Sequence, residues 1–161
     1  MIVVADSTPL HYLILLGHAE ILRQLYENVL IPDAVAAELR ASSAPRQVSE
    51  WMSAPPSWLL IVEIATEDIV TVTAELDRGE RAAIALAEKT GADLMLIDES
   101  AGRAEARRRS LRVTGTLGVL RAAAEAGLLD ARDVVSRLQA TNFYVDEALL
   151  RTVFAKWLQN E

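Results

Sequence analysis

The chain has 161 residues, a formal net charge of −7 and no cysteine. A length of this order suits one domain with a substantial core, expected to span residues 1–161. The apolar half of the composition excludes a disordered chain. The absence of thiols excludes disulfides, zinc–thiolate sites and cysteine nucleophiles, and the acidic balance argues against broad non-specific binding to nucleic acid.

In chain order, "IVVA" (2–5) reads as a short buried strand that runs straight into Asp6. Thr8 is expected to be an N-cap, with Pro9 at the first helical position. Leu10, Leu13, Ile14 and Leu16 then carry a helical stripe up to Gly17. A second helix is expected over 18–27, a strand over 28–32 ("NVLIP") and a helix over 33–40 ("DAVAAELR"). The Ser-, Ala- and Pro-rich stretch that follows, within 41–58, predicts a loop tied down by Trp51 and Trp58. A strand is expected over 58–64. Residues 67–76 stay open, because β-branched residues favour strand while the spacing allows helix.

The stretch "DRGERAAIALAEKTG" (77–91) predicts a helix closed by Gly91. "DLMLI" (93–97) is a strand ending at Asp98, and 99–110 is helical. A short strand over 111–115 leads to a helix over 116–127, with Thr116 as its expected N-cap. Asp130 caps the next helix, and Asp146 starts a last one over 147–159. No apolar run approaches the ~20 residues of a membrane span. With no basic leader before "MIVVAD", a cytoplasmic protein is expected.

Strands separated by helices imply βαβ units and a mostly parallel central sheet in an α/β sandwich. Ligands of such sheets bind beyond the carboxyl ends of the strands. Asp6 and Asp98 both end a predicted strand, so both face that rim. Glu38 lies in the helix after "LIP", Glu80 in the first turn of the helix over 77–91, and Glu99 directly after Asp98. Carboxylates brought together repel one another unless they share a cation, and Mg²⁺ and Mn²⁺ prefer oxygen ligands. Convergent acids without a His or Cys cluster therefore suit a metal-dependent nuclease or phosphatase. Three of these acids also have an ordinary explanation: Asp6 as a turn residue or cap, Glu80 as a partner of the helix dipole, Glu38 as an exposed residue paired with an arginine; Asp98, at a strand end, is least easily explained that way.

The pieces "VVADSTPLHYLILLG", "VLIPDAVAAELR" and "LDRGERAAIALAEKTGADLMLIDESAGRAEARRRSLRVTGTLGVL" resemble, in this order, the PIN domain of VapC-type nucleases. The likeness covers most of residues 1–125. It implies a three-layer α/β/α fold and a Mg²⁺- or Mn²⁺-dependent endoribonuclease. It maps the family's acids onto Asp6, Glu38, Glu80 and Asp98. Asp6, Glu80 and Asp98 would bind metal, and Glu38 would hold a second ion or a water. It also implies the toxin of a toxin–antitoxin pair, acting as a homodimer that a small antitoxin blocks. Two departures stand out. Glu80 occupies a position where such toxins usually carry Asp, and Asp98-Glu99-Ser100 replaces the usual Thr-x-Asp or Thr-x-Asn, so Glu99 competes with Asp98 as the last acid. These departures motivate a second reading, a PIN-like interaction module with little or no catalysis. A phosphoacceptor receiver-like domain ranks low, because "VVAD" offers one acid and "LRVTG" no lysine.

Ser7 and Thr116 are candidate substrate contacts beside the acids. His11 and His18 lack metal-pair spacing. Arg103 and Arg109 follow Glu99 and Glu105 by four and suit helix-surface pairs. Arg103 and Arg107 are also candidate substrate contacts, and Arg107, Arg108 and Arg112 could hold RNA phosphates or an acidic antitoxin segment. The apolar last helix suits core packing together with a dimer or antitoxin surface.

Overall fold

The computed structural model describes residues 1–159; Asn160 and Glu161, at the end of the expected 1–161 span, lie outside the described residues. In chain order the first half is β1 (Val3–Ala5), α1 (Ser7–Leu15), α2 (Ile21–Tyr26), β2 (Val29–Pro32), α3 (Asp33–Arg40), α4 (Arg46–Ser53), β3 (Leu59–Val62) and α5 (Thr66–Ile69). The second half is α6 (Arg78–Thr90), β4 (Leu94–Leu96), α7 (Ser100–Arg108), β5 (Val113–Thr114), α8 (Thr116–Glu125), α9 (Ala131–Gln139), α10 (Glu147–Val153) and α11 (Ala155–Leu158).

The strands form one parallel sheet in the order β3-β2-β1-β4-β5. All three residues of the central strand β1 are buried, as a parallel sheet with both faces covered requires. Helices supply the two outer layers of the α/β/α sandwich. On α6 the run Ala82 to Ala87 is buried throughout, and its four alanines let the helix lie close against β1, β2 and β4. Asp77 caps its start, and Gly91 ends it in the left-handed conformation, at φ 63°.

Three expectations change, and one open stretch takes a definite form. The presumed loop within 41–58 contains α4. Pro45 stands at its N-cap position, where the missing N–H costs nothing, and Val48 and Met52, one turn apart, bury the inner face. The Trp51 and Trp58 rings do meet, with centroids 5.9 Å apart. The first helix begins at Ser7, so Thr8 is not its N-cap; Asp6 takes that position, with no side-chain cap bond. Pro9 is tolerated there because first-turn amides have no helical partner. Residues 67–76 are mostly turn, with helix only in the short α5. The last helix breaks at Phe154, which is fully buried and non-helical at φ −107°. Anchoring that ring in the core turns the chain between α10 and α11.

Candidate active site

Strand register sets the rim. Ala5 pairs with Leu96, and the Asp6 amide donates to the Leu96 carbonyl at 2.8 Å. Leu96 in turn pairs with Thr114, so two residues further on Asp98 stands level with Thr116. Both Thr116 donors reach it: the amide to Oδ1 at 2.8 Å and the hydroxyl to Oδ2 at 2.6 Å. Thr116 is therefore the first residue of α8 and the clamp on Asp98; the N-cap position belongs to Gly115. Burial raises the Asp98 carboxyl above the ordinary range, while the Thr116 hydroxyl and amide and the Arg103 charge pull it back.

Asp6 is the most buried acid of the group. It is 3% exposed, and its Oδ1 has no hydrogen-bond partner. Burial pushes its carboxyl up to about 8; the Ser7 amide opposes this, and the charges of Glu80, Asp77 and Glu38 add to it. A buried carboxylate in such company is held neutral unless a positive charge joins it.

Glu80 comes from α6. Its amide donates to Asp77 Oδ1 at 2.8 Å, and its Oε2 accepts from the Asp77 amide at 3.1 Å, a reciprocal capping box. One carboxylate oxygen is thereby fixed and the other is left for the site. Burial raises the Glu80 carboxyl, the Asp77 amide lowers it, and the charges of Asp77, Glu99 and Glu38 raise it further. Glu38 reaches over from α3. A Cβ on Gly79 would lie 2.0 Å from Glu38 Oε1, so only glycine lets this carboxylate rest on the first turn of α6. Burial raises Glu38, and the Ser7 side chain and the Gly79 backbone hold it down as hydrogen-bond partners.

Asp6, Glu38, Asp77 and Glu80 thus share one electrostatic neighbourhood, with Glu99 acting on Glu80 from the far side. Asp98 sits beside them on the rim, already engaged by Thr116. Among the described residues no three Asp, Glu or His side chains stand as a ready ligand set. A cation is nevertheless what this chemistry fits. It would give Asp6 Oδ1 a partner and offset the mutual repulsion, and the donors are the oxygens that Mg²⁺ and Mn²⁺ select.

A groove of about 890 Å³ opens beside the acids, with Asp77, Glu80, Asp98, Glu99 and Arg103 in its walls. The segment 142–146, Leu149, Val153 and Tyr12 also line it. The sequence reading missed two participants. Asp77 had a signal, the D-x-x-E spacing of a capping box in "DRGE". The 142–146 wall had none, since 130 residues separate Tyr12 from its hydrogen-bond partner Asn142.

The arginines divide differently from expectation. Arg109 does pair with Glu105, at 2.9 Å, and it also reaches Glu88 and the Thr71 carbonyl. Arg108 is bound to the same Glu105 at 2.6 Å, so it is not left over for phosphates. Among the described residues Arg103 forms no ion pair with Glu99. It lies in the groove beside Asp98 and Gly115. Arg107 and Arg112 are exposed. His11 and His18 are half-buried, and burial lowers the pKa of both.

Carboxylates gathered at the carboxyl rim of a parallel α/β/α sandwich stand where such folds bind their ligands. A family model described as PIN domain matches residues 2–159, and the chain belongs to that family. No curated protein matches it. No helix among the described residues is long and apolar enough to cross a membrane.

Proposed function

We propose that this chain is a divalent-metal-dependent endoribonuclease, the toxin of a two-component pair that works as a homodimer and is silenced by a small antitoxin. The observation that carries the catalytic part is the buried, unpartnered Asp6 Oδ1 among Glu80, Asp77 and Glu38. Asp6, Glu80 and Asp98, with Glu99 adjacent, would hold Mg²⁺ or Mn²⁺. Glu38 faces them from α3. When bound, such an ion stabilises the negative charge that builds on a phosphodiester as it is cut. The chain's own residues supply the rest. Thr116 fixes the orientation of Asp98, and Asp77 fixes that of Glu80. Ser7 steadies Glu38, and Arg103 offers a guanidinium to a phosphate in the groove.

The test is Mn²⁺ binding by calorimetry together with cleavage of a labelled single-stranded RNA. Asp6→Asn is expected to lose both while keeping the wild-type circular dichroism. Cleavage at the wild-type rate by Asp6→Asn would refute the mechanism. One observation favours the second reading, a PIN-domain interaction module without catalysis: Thr116 already engages both oxygens of Asp98. That reading predicts no Mn²⁺ binding at all, and the same titration decides.

A further inference from the structure

Of the large apolar and aromatic side chains among the described residues, Tyr144 is the most exposed, at 96%. It stands in the wall of the groove that holds Glu80, Asp98 and Arg103. Its position is not that of a loose tip. Asn142, two residues before it, accepts a hydrogen bond from the Tyr12 hydroxyl at 2.8 Å. Phe143 packs edge-on against the Tyr12 ring, with centroids 4.8 Å apart. Two residues after it, Asp146 caps α10 through the Ala148 amide at 2.8 Å. The backbone is pinned on both sides, and the ring between the pins is held out in solvent.

We propose that Tyr144 is a stacking platform for an unpaired base of the strand that enters this groove. The inference rests on the nuclease reading and deepens it. Base–aromatic stacking needs an open ring face and a base free of its own stack, which a duplex does not offer. Five carboxylates line the groove (Asp77, Glu80, Asp98, Glu99 and Asp146), so a nucleotide enters it together with the divalent ion of the nuclease reading, and its phosphate needs a cation on the wall. Arg103 lines it, and Arg107 follows one turn later on the same face of α7. Arg108 and Arg109, the neighbouring cations, are both tied to Glu105. A strand with a phosphate at Arg103 and a base on Tyr144 would cross the groove that the acids line.

The experiment is fluorescence anisotropy of the full chain in Ca²⁺ buffer with a short labelled oligoribonucleotide, single-stranded and as its duplex. Tyr144→Ala should weaken single-strand binding about tenfold or more. Tyr144→Phe and Tyr144→Trp should bind within about twofold of wild type. Duplex binding and the melting temperature should not move, because the side chain supports nothing in the fold. If wild type binds single strands and Tyr144→Ala binds them equally well, this inference falls and the nuclease reading stands. Loss in Tyr144→Phe equal to that in Tyr144→Ala would replace stacking with a hydroxyl contact and overturn it too. A dimer that falls apart on Tyr144→Ala would make the ring part of a self-interface and also overturn it. If wild type binds neither probe, both readings fall.

Discussion

Thr116 gives Asp98 both of its hydrogen-bond donors, one to each carboxylate oxygen. A strand-end acid that lines the groove is thereby held by the first residue of the helix after the next strand. Thr116→Val removes the hydroxyl bond and keeps the shape. It should cost about 1.5–3 kcal/mol, as for a hydrogen bond to a charged group. It should also weaken Mn²⁺ binding, because losing the hydroxyl raises the Asp98 carboxyl further. Thr116→Ser should behave as wild type. Chemical denaturation and a metal titration on both variants check this.

The metal-free protein should lose stability as pH rises. The Asp6 carboxyl lies at about 8 in the fold against 3.8 for the free side chain. Between those values the folded state keeps a proton that the unfolded chain has released. The stability difference is therefore complete below about pH 4, declines through about pH 8 and is flat beyond. Glu38, Glu80 and Asp98 are raised as well and act in the same sense. Asp6→Asn should remove much of the slope and stabilise the metal-free chain at high pH by an amount on the order of a few kcal/mol. Urea unfolding across that pH range is the measurement, and a wild-type curve that rises with pH would contradict it.

Asp77 does two separable things. Its carboxylate caps α6, and its charge raises the pKa of Asp6, Glu38 and Glu80. Asp77→Ala should lose about 1 kcal/mol with the cap. Asp77→Asn keeps an acceptor for the Glu80 amide and drops the charge, so it should hold its stability at neutral pH and flatten the alkaline decline. Thermal melts at two pH values separate the two effects.

Arg107 and Arg109 lie two residues apart and should respond in opposite ways. Arg109 links α7 to Glu88 and to the Thr71 carbonyl, so Arg109→Ala should destabilise by about 1–3 kcal/mol without changing nucleic-acid affinity. Arg107→Ala should leave melting unchanged, weaken RNA binding and reduce its salt dependence by about one ion. Anisotropy at several salt concentrations checks both.

Much of this arrangement was legible in the chain. Three-residue strands such as "VVA", buried throughout, and "LML", buried at Met95 and Leu96, are short, and a buried apolar run between helix signals reads as a parallel strand. The helix in "DRGERAAIALAEKTG" carries its cap, its alanines and its closing glycine in plain sight. The acids Asp6 and Asp98 followed from strand-end logic. What escaped was governed by distance or by competing signals. Prolines on either side of α4 suggested a loop, although Pro45 merely precedes the helix and Pro55 and Pro56 merely follow it. Thr8 carried the usual cap chemistry, yet the chain enters the helix one residue earlier, and Asp6 takes the position without using its side chain as a cap. The pairing of Arg108 with Glu105 depends on which way a side chain turns on one helix face, and spacing allowed either partner.

Placing the first strand in the middle of the sheet also fixes when the site comes into being. Val3 waits for Leu94 before its far edge is paired, and Asp98 waits for Thr116. Any stretch of chain that stops short of residue 116 lacks the donors that hold Asp98, even where it already carries Asp6, Glu38, Glu80 and Asp98. During synthesis the carboxylates therefore emerge one by one, and the assembled rim appears only after more than two thirds of the polypeptide has left the ribosome. The rim is thus a late product of the fold, joined from strands far apart in the sequence.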